Sequence, residues 1–557
     1  MSMRRNIYFT IITFSCLAIF SFSQINQKNE NPDYIPQNIF TIDYKILDGN
    51  NIAAWFMNNG SFNRNLFTNN SGFEWPAGSN KILRYASGLW LGAKVGSDTL
   101  VAIAEYNYEY LPGYIDISGN PQGKDDPLFK VYKIIKGDSI SNDYINWPVN
   151  QGAYLDSSNK PFLPGTQTVF YSMTDGYPES HINYLGRTAP MKAQVQVTNW
   201  CYNDYPPTEL RNVIFSEFKI VNKNSLPWNN AFITIWSDEN SYEQIAIGCD
   251  SILNLGYAYC MPNSSQYGTT PPAFSFLLLK GAEVYTGNPN DTVYSLIPGR
   301  SQRRVRVGYK EIKMSSFFTY QNATPGGPTN YRQVYTMMHG FKNDGSNWIN
   351  PVTNNVTKFN FSGDPESGSG WNQYPVYGYG NRRLVMNIGG LNINPGDTQT
   401  IVVAQIVSQG NNNLNSVTKL KQDALYVKNV FNNNFTTVGI KNNISSEIPN
   451  GFSLSQNYPN PFNPTTKINY KLPASRQGGQ ITNYPRGEAS VSLKVFDVLG
   501  NEVAALVNEK QNAGSYEVEF DGSNLPSGIY FYRLLVRSSN SLSTEGFSDT
   551  KRMILVK

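Results

Sequence analysis

Apolar and polar residues alternate along much of this chain, the two-residue period of a strand with one buried face. The alternation is clearest near the C-terminus, in Ile468-Asn469-Tyr470-Lys471-Leu472, Val491 to Asp497 and Ser515 to Phe520, with a turn at Leu499-Gly500-Asn501 and another at Asp521-Gly522. Upstream, Ile39 to Ile46 reads as a strand, Ile52 to Met57 is a short apolar run, and Ser87–Val95 with Thr99–Tyr106 reads as a hairpin about Gly96-Ser97-Asp98. Further strand candidates are Phe129–Ile135, Thr168–Met173, Lys192–Asn199, Val213–Val221, Ala231–Trp236, Ala273–Leu279, Arg303–Tyr309, Leu384–Ile388 and Thr400–Ser408. One stretch breaks the period. Leu414 to Phe431 places Val417, Leu420, Ala424, Val427 and Phe431 on one stripe at steps of three and four, which predicts a helix. The expected fold is therefore mainly β, with sandwich-type domains, one helix near 414–431 and a C-terminal seven-strand Ig-like sandwich.

The terminal strands follow Asn457 to Lys467, where Pro459, Pro461 and Pro464 stiffen the backbone and predict a connector between domains. Tyr458-Pro459-Asn460-Pro461-Phe462, the Val495 to Gly500 run, Ser527-Gly528-Ile529-Tyr530 and a closing basic, apolar strand ending at Lys557 occur in that order. On these motifs the last hundred or so residues resemble the type A C-terminal sorting domain of the type IX (Por) secretion system. The resemblance implies an address label read by the secretion machinery and its sorting-domain peptidase. Polar insertions at Pro473–Ala489 and Ser538–Phe547 depart from the pattern where loops belong. In the central region Gly72-Phe73-Glu74-Trp75-Pro76, Trp236-Ser237-Asp238, Gly248-Cys249-Asp250 and Ser362-Gly363-Asp364-Pro365 resemble a group of large secreted proteins from the same kind of bacteria, which implies a shared fold and no reaction.

The other end fits the same itinerary. Arg4 and Arg5, an apolar run from Ile7 to Phe20 and Ser21-Phe22-Ser23 have the order of a secretory signal peptide. The expected organisation is a signal peptide at 1–23, a β-rich region of two domains at 24–440, a linker at 441–456 and the sorting domain at 457–557. Export to the surface or surroundings of a Gram-negative bacterium follows, and no further segment has the apolar length of a membrane-spanning helix. Charged residues make up 15% of the chain and aromatic ones 13%, a balance that favours strands. The formal net charge is +4; with no run of Lys or Arg expected to track along a face, a nucleic-acid partner is disfavoured. After the signal peptide three cysteines remain, Cys201, Cys249 and Cys260, so at most one internal disulfide forms. Cys249 with Cys260 is the preferred pair, and buried free thiols are the alternative.

Chemistry is harder to find. His181 and His339 are the sole histidines, and the serine-hydrolase elbow, the phosphate loop and the Cys-x-x-Cys motif are all missing from the sequence. Glu105 and Glu109 would share a strand face at roughly 13 Å, too far apart to act alone as a glycosidase pair, and read as a solvated acidic face. A hairpin bringing Asp238, Asn240 and Asp250 together would offer hard oxygen ligands to Ca²⁺, the one cofactor considered; a polar turn is the alternative. Long loops at Gln321–Tyr331 and Phe341–Tyr379 offer Tyr, Trp and Asn to a surface glycan or protein. Two functions remain open: a secreted binding or structural surface protein, and an extracellular hydrolase of polysaccharide or protein.

Overall fold

A computed structural model describes residues 42–557 apart from 204–207, 240–242, 297–302, 322–325, 433–434, 436–438, 442–450, 474–475, 478–479, 482–488, 512–513, 524 and 539–546. The signal-peptide expectation at 1–23 lies outside the described residues. Two large antiparallel sheets account for most of the long strands before residue 410. The first runs in the order Ser316–Tyr320, Arg383–Ile393, Trp228–Asp238, Ala86–Val95 and then the short strands of residues 53–84; the second runs Gln167–Thr174, Ala193–Cys201, Val213–Asn222, Thr398–Ser408, Ala273–Lys280, Leu255–Cys260 and Ile245–Asp250.

The strands of the second sheet are buried on both faces, which explains why several read as continuous apolar runs. In Thr398–Ser408, Ile401, Val403 and Val407 enter the core shared with the first sheet, while Val402, Ala404 and Ile406 meet the helix Asn413–Asn432. All five residues of the predicted helical stripe are buried there. Four asparagines weaken this helix by a few tenths of a kcal/mol each, whereas each buried apolar side chain contributes about 1.5–3 kcal/mol, so packing decides. A second helix, Tyr331–Met338, was not predicted. It covers the outer face of the first sheet with Val334, Tyr335, Met337 and Met338, and Asn330 caps it by accepting from the N–H groups of Arg332 and Gln333. Because one core draws on both sheets, the expected two β domains are instead one sandwich flanked by two helices.

Segment 358–380 seals one side of the sandwich. Phe317, on the edge strand of the first sheet, receives a hydrogen bond from Asn360 N–H at 3.0 Å and donates to Lys358 O at 2.8 Å. On the edge strand of the second, Ile245 exchanges hydrogen bonds with Gly380, Ile247 N–H donates to Gln373 Oε1 and Cys249 N–H donates to Phe361 O. This corrects the reading of Phe341–Tyr379 as a binding loop with exposed tryptophans: Trp348 and Trp371 are 7% and 4% exposed and pack around Phe361. At the far end of the first sheet the Gln266 amide does similar work, bonding both the N–H and the C=O of Ile82.

The two sheets are also tied through polar groups. Arg84 Nε meets Glu239 Oε2 at 2.7 Å with both side chains fully buried, and Arg84 Nη1 donates to Gln405 Oε1 of the opposite sheet at 2.7 Å. Asn63 donates to the same Gln405 oxygen and to Ser87 Oγ, which pairs with Ser237 Oγ. The Arg84 guanidinium lies 4.1 Å from the centre of the Phe276 ring. Burial lowers the guanidinium's pKa and raises the carboxyl's, each resisted by the partner's charge.

The C-terminal module is a separate sandwich with its own core. Its sheets are Gly439–Lys441, Gly514–Asp521, Thr465–Leu472 and Ser453–Leu454 against Glu502–Gln511, Ala489–Phe496, Gly528–Ser538 and Phe547–Leu555. That makes eight paired strands where seven were expected. Two of the eight precede residue 457, Gly439–Lys441 at the end of the expected β-rich region and Ser453–Leu454 in the expected linker, so 457–557 supplies six of them. The preferred disulfide does not form: Cys201, Cys249 and Cys260 are all free and buried, and the register opposes Cys249 to Gly256 and Cys260 to Ile245.

Removing one member of the Arg84–Glu239 pair strands the other charge inside the protein. Glu239→Gln should therefore cost about 3–5 kcal/mol of unfolding free energy, and the double variant Arg84→Met/Glu239→Leu should recover most of it. Urea denaturation of the three proteins checks both statements.

Candidate functional site

Titratable side chains collect where the chain leaves the strand Asp98–Ile103 and meets the segment after Gln167–Thr174. Residues 104–108 form a tight turn, bridged between Ala104 and Tyr108, so Glu105 and Glu109 do not lie along one strand. Both are buried, at 1% and 0% exposure, which overturns the solvated acidic face expected from the sequence. Glu109 binds two backbone amides, Ile103 N–H with Oε2 and Arg187 N–H with Oε1, each at 3.0 Å. Gly186 is required beside it, because a Cβ there would stand 2.0 Å from Glu109 Oε1. Asp175 receives the N–H groups of Met191 and Ala193 at 2.6 Å each.

His181 sits between these two acids. Its Nε2 is 2.8 Å from the Asp175 carbonyl oxygen and 3.5 Å from Oδ2, and its Nδ1 is 3.6 Å from Glu109 Oε2. Burial alone would lower the imidazole's pKa, but the hydrogen bond to Asp175 and the charges of Asp175 and Glu109 outweigh it and hold the value near 9. Burial pushes Glu109 up to about 7, against the His181 charge and its two amide hydrogen bonds. Glu105 is pushed up to about 8 by burial, with the Arg383 charge opposing. Next to it Tyr106 donates to Asp238 Oδ2 at 2.5 Å and receives Arg383 Nε and Nη2 at 3.1 and 2.9 Å. This array fixes loops by giving carboxylates to backbone amides and to one arginine.

The calcium expectation meets a different topology. Asp238 ends a strand of the first sheet, whereas Asp250 ends a strand of the second, so no hairpin joins them. Asp238 is held by Tyr106 and lies 3.7 Å from Arg383. Asp250 Oδ1 caps a turn by accepting from the N–H groups of Ile252 and Leu253. Asn240 lies outside the described residues, among which no cluster of three or more His, Cys, Asp or Glu side chains is placed to hold a metal. His339, the other histidine, bonds Tyr335 O and the Asn230 side chain.

The sorting motif is woven into its module. Phe462 is buried, and its backbone exchanges hydrogen bonds with Ile554 O and Val556 N–H at 2.9 and 3.0 Å. Asn460 Oδ1 accepts from Ile554 N–H, and Asn457 N–H donates to the Tyr532 hydroxyl. Tyr458 is 80% exposed, with its backbone paired to Lys467; Pro459 and Pro461 are exposed as well. Gly528 pairs with Leu555, and the buried Tyr530 donates to Pro526 O. Lys557 reaches Ser523 O with Nζ and Ser527 Oγ with its N–H. The predicted stiff connector is thus an integral strand partner, because Asn460 and Phe462 satisfy the terminal strand.

Each raised pKa has a sign for stability. A group whose folded pKa exceeds its unfolded one stabilises fully below the unfolded value, and that contribution is lost as pH rises through the folded value. Glu109 acts from 4.5 to about 7, Glu105 from 4.5 to about 8 and His181 from 6.5 to about 9. Stability should therefore fall with rising pH across this range, each group contributing up to about 1.4 kcal/mol per pH unit. Glu105→Gln should flatten the fall and raise the melting temperature at pH 8 relative to the parent, as scanning calorimetry across pH would show.

Comparison with known proteins bears on the terminal module. Residues 456–545 match the family model of the secretion system C-terminal sorting domain. No curated protein matches the chain. Among solved structures, a polysaccharide lyase aligns at 7% identity and TM-score 0.25, covering 92% of this chain and 46% of its own, so the chain spans less than half of that enzyme's length. The adhesin domain of Epf from Streptococcus pyogenes aligns at 6% identity and TM-score 0.12, covering 66% of this chain and 93% of its own. Likeness this remote carries no argument about fold or activity. The family match, together with the module's motifs and strands, identifies the C-terminal module as a type IX secretion sorting domain, and the chain as a protein delivered to the outer cell surface or the extracellular space.

Proposed function

We propose that residues 42–432 form a binding or structural module displayed outside the cell, with the sorting domain as its means of delivery. The observation that carries this reading is the burial of the clustered acids: Glu105, Glu109 and Asp175 are at most 1% exposed, and Glu109 and Asp175 give their oxygens to backbone amides. A hydrolytic carboxylate must instead meet substrate and water. Aromatic surface remains for a ligand. Phe67 is 47% exposed beside the stacked Tyr44 and Trp55 rings, and Tyr374 and Tyr377 stand out from the sealing segment. Such rings suit a glycan or protein contact. The alternative, an extracellular hydrolase, would need a site built elsewhere in the chain.

Two measurements test this reading. Purified protein should retain glycans or surface polysaccharides in a binding array while releasing no product from polysaccharide or protein substrates in parallel; turnover in the second screen would overturn it. Deleting Phe452–Lys557 should leave the protein in the periplasm of its native host, scored by fractionation and immunoblotting. Cleavage by the sorting peptidase should fall before Phe452, so mass spectrometry of the extracellular form should find no peptide from Val491 onward joined to the mature chain.

A further inference from the structure

A β-hairpin arm stands outside both large sheets. Ala282–Tyr285 pairs with Tyr309–Ile312, and farther along the arm Thr292–Leu296 pairs with Arg303–Val307. Its stem is anchored by Ala282 in the shared core, with Val284 and Ile312 packed against that core. Gly308, at φ +81°, breaks the returning strand between the two halves, and its N–H donates to Asp291 O at 2.7 Å. Beyond the break the arm shows apolar side chains to water: Val305 is 53% and Val307 59% exposed, and Tyr285 at the joint is 68% exposed.

The same strand is the most basic stretch of the protein. Between positions 303 and 313 the sequence sets Arg303, Arg304, Arg306, Lys310 and Lys313 against one acid, Glu311, a local excess equal to the formal +4 of the entire chain. Glu283 across the arm draws in Arg306 at 2.7 Å and Lys280 at 3.0 Å, and the Arg306 guanidinium lies 3.4 Å from the centre of the Tyr309 ring. Arg304, Lys310 and Lys313 are exposed. Along Arg303–Val307, Arg304 alternates with Val305 and Val307 and all three are exposed, whereas Val293, opposite Arg306, is buried.

We propose that this arm docks on an anionic lipid surface, with Val305, Val307 and Tyr285 entering the headgroup region and Arg304, Lys310 and Lys313 meeting the lipid phosphates. A soluble polyanion would engage the cations and leave the valines in water, and a neutral apolar partner would leave the cations unmatched. An anionic membrane face uses both, by the rule that governs amphipathic interfacial segments. Such docking rests on the surface destination of the protein and is independent of whether the sandwich binds or hydrolyses.

Sedimentation of the purified full chain with phosphatidylcholine vesicles, with and without phosphatidylglycerol, tests it. Binding should favour the anionic vesicles, weaken with salt and drop on the order of tenfold or more in Arg304→Glu/Lys310→Glu. Val305→Ser/Val307→Ser should also weaken it while leaving the salt dependence intact. Circular dichroism melts of both variants should match the parent, since the substituted side chains are exposed; the vesicle preference and salt response of the parent need no variant at all. Equal or absent binding to the two vesicle types overturns the proposal. So does capture of soluble polygalacturonate as tight as vesicle binding, with the valine variant unaffected, because that outcome assigns the arm to a polyanion.

Discussion

The buried Arg84–Glu239 pair, within the first sheet, holds the guanidinium that reaches Gln405 of the second, and this contact fixes how the two sheets of the main sandwich face each other. An ion pair with neither partner exposed tolerates little sliding, since each misplaced hydrogen bond would leave a charge without its counterpart in a low-dielectric interior. Gln405 extends the constraint across the layer boundary by accepting from both Arg84 and Asn63 with one oxygen. Apolar burial supplies most of the stabilisation on either side of this network, but it is indifferent to small shifts of one sheet over the other. The polar network is directional and sets the register.

The same economy appears at the margins. Sheet edges present unpaired backbone groups that attract other strands. Segment 358–380 covers an edge of each sheet with a single piece of chain, and its own small aromatic core of Trp348, Phe361 and Trp371 keeps it seated. Glu109, His181 and Asp175 do comparable work for the loop between Gln167–Thr174 and Ala193–Cys201, gripping four backbone amides between the two acids. Polar groups that look catalytic as a residue list hold backbone amides here.

Delivery is built differently. In the sorting domain the signature residues are partly structural: Phe462 and Asn460 satisfy the last strand, and Lys557 reaches back to the loop before Gly528–Ser538. Tyr458 and the neighbouring prolines remain outside. The motif is thus tied to the terminal strand while Tyr458 and the prolines stay on the surface of the same module.

Periodicity alone determined the strand-rich class, most long strands and the helix Asn413–Asn432, because those elements obey the two-residue and 3.6-residue rules locally. Ordered motifs alone marked the sorting domain. Tertiary structure decided the rest. Alternation along Thr398–Ser408 cannot reveal that both faces are covered, so one four-layer body looked like two domains. Nor can spacing tell that Glu105 and Glu109 turn inward: an acid's burial depends on amides and cations contributed by Ile103, Arg187 and Arg383, two of which are distant in sequence. Asp238 and Asp250, twelve positions apart, are divided by a crossing from one sheet to the other. Local patterns fix what a segment wants to be, and only long-range contacts fix what it faces.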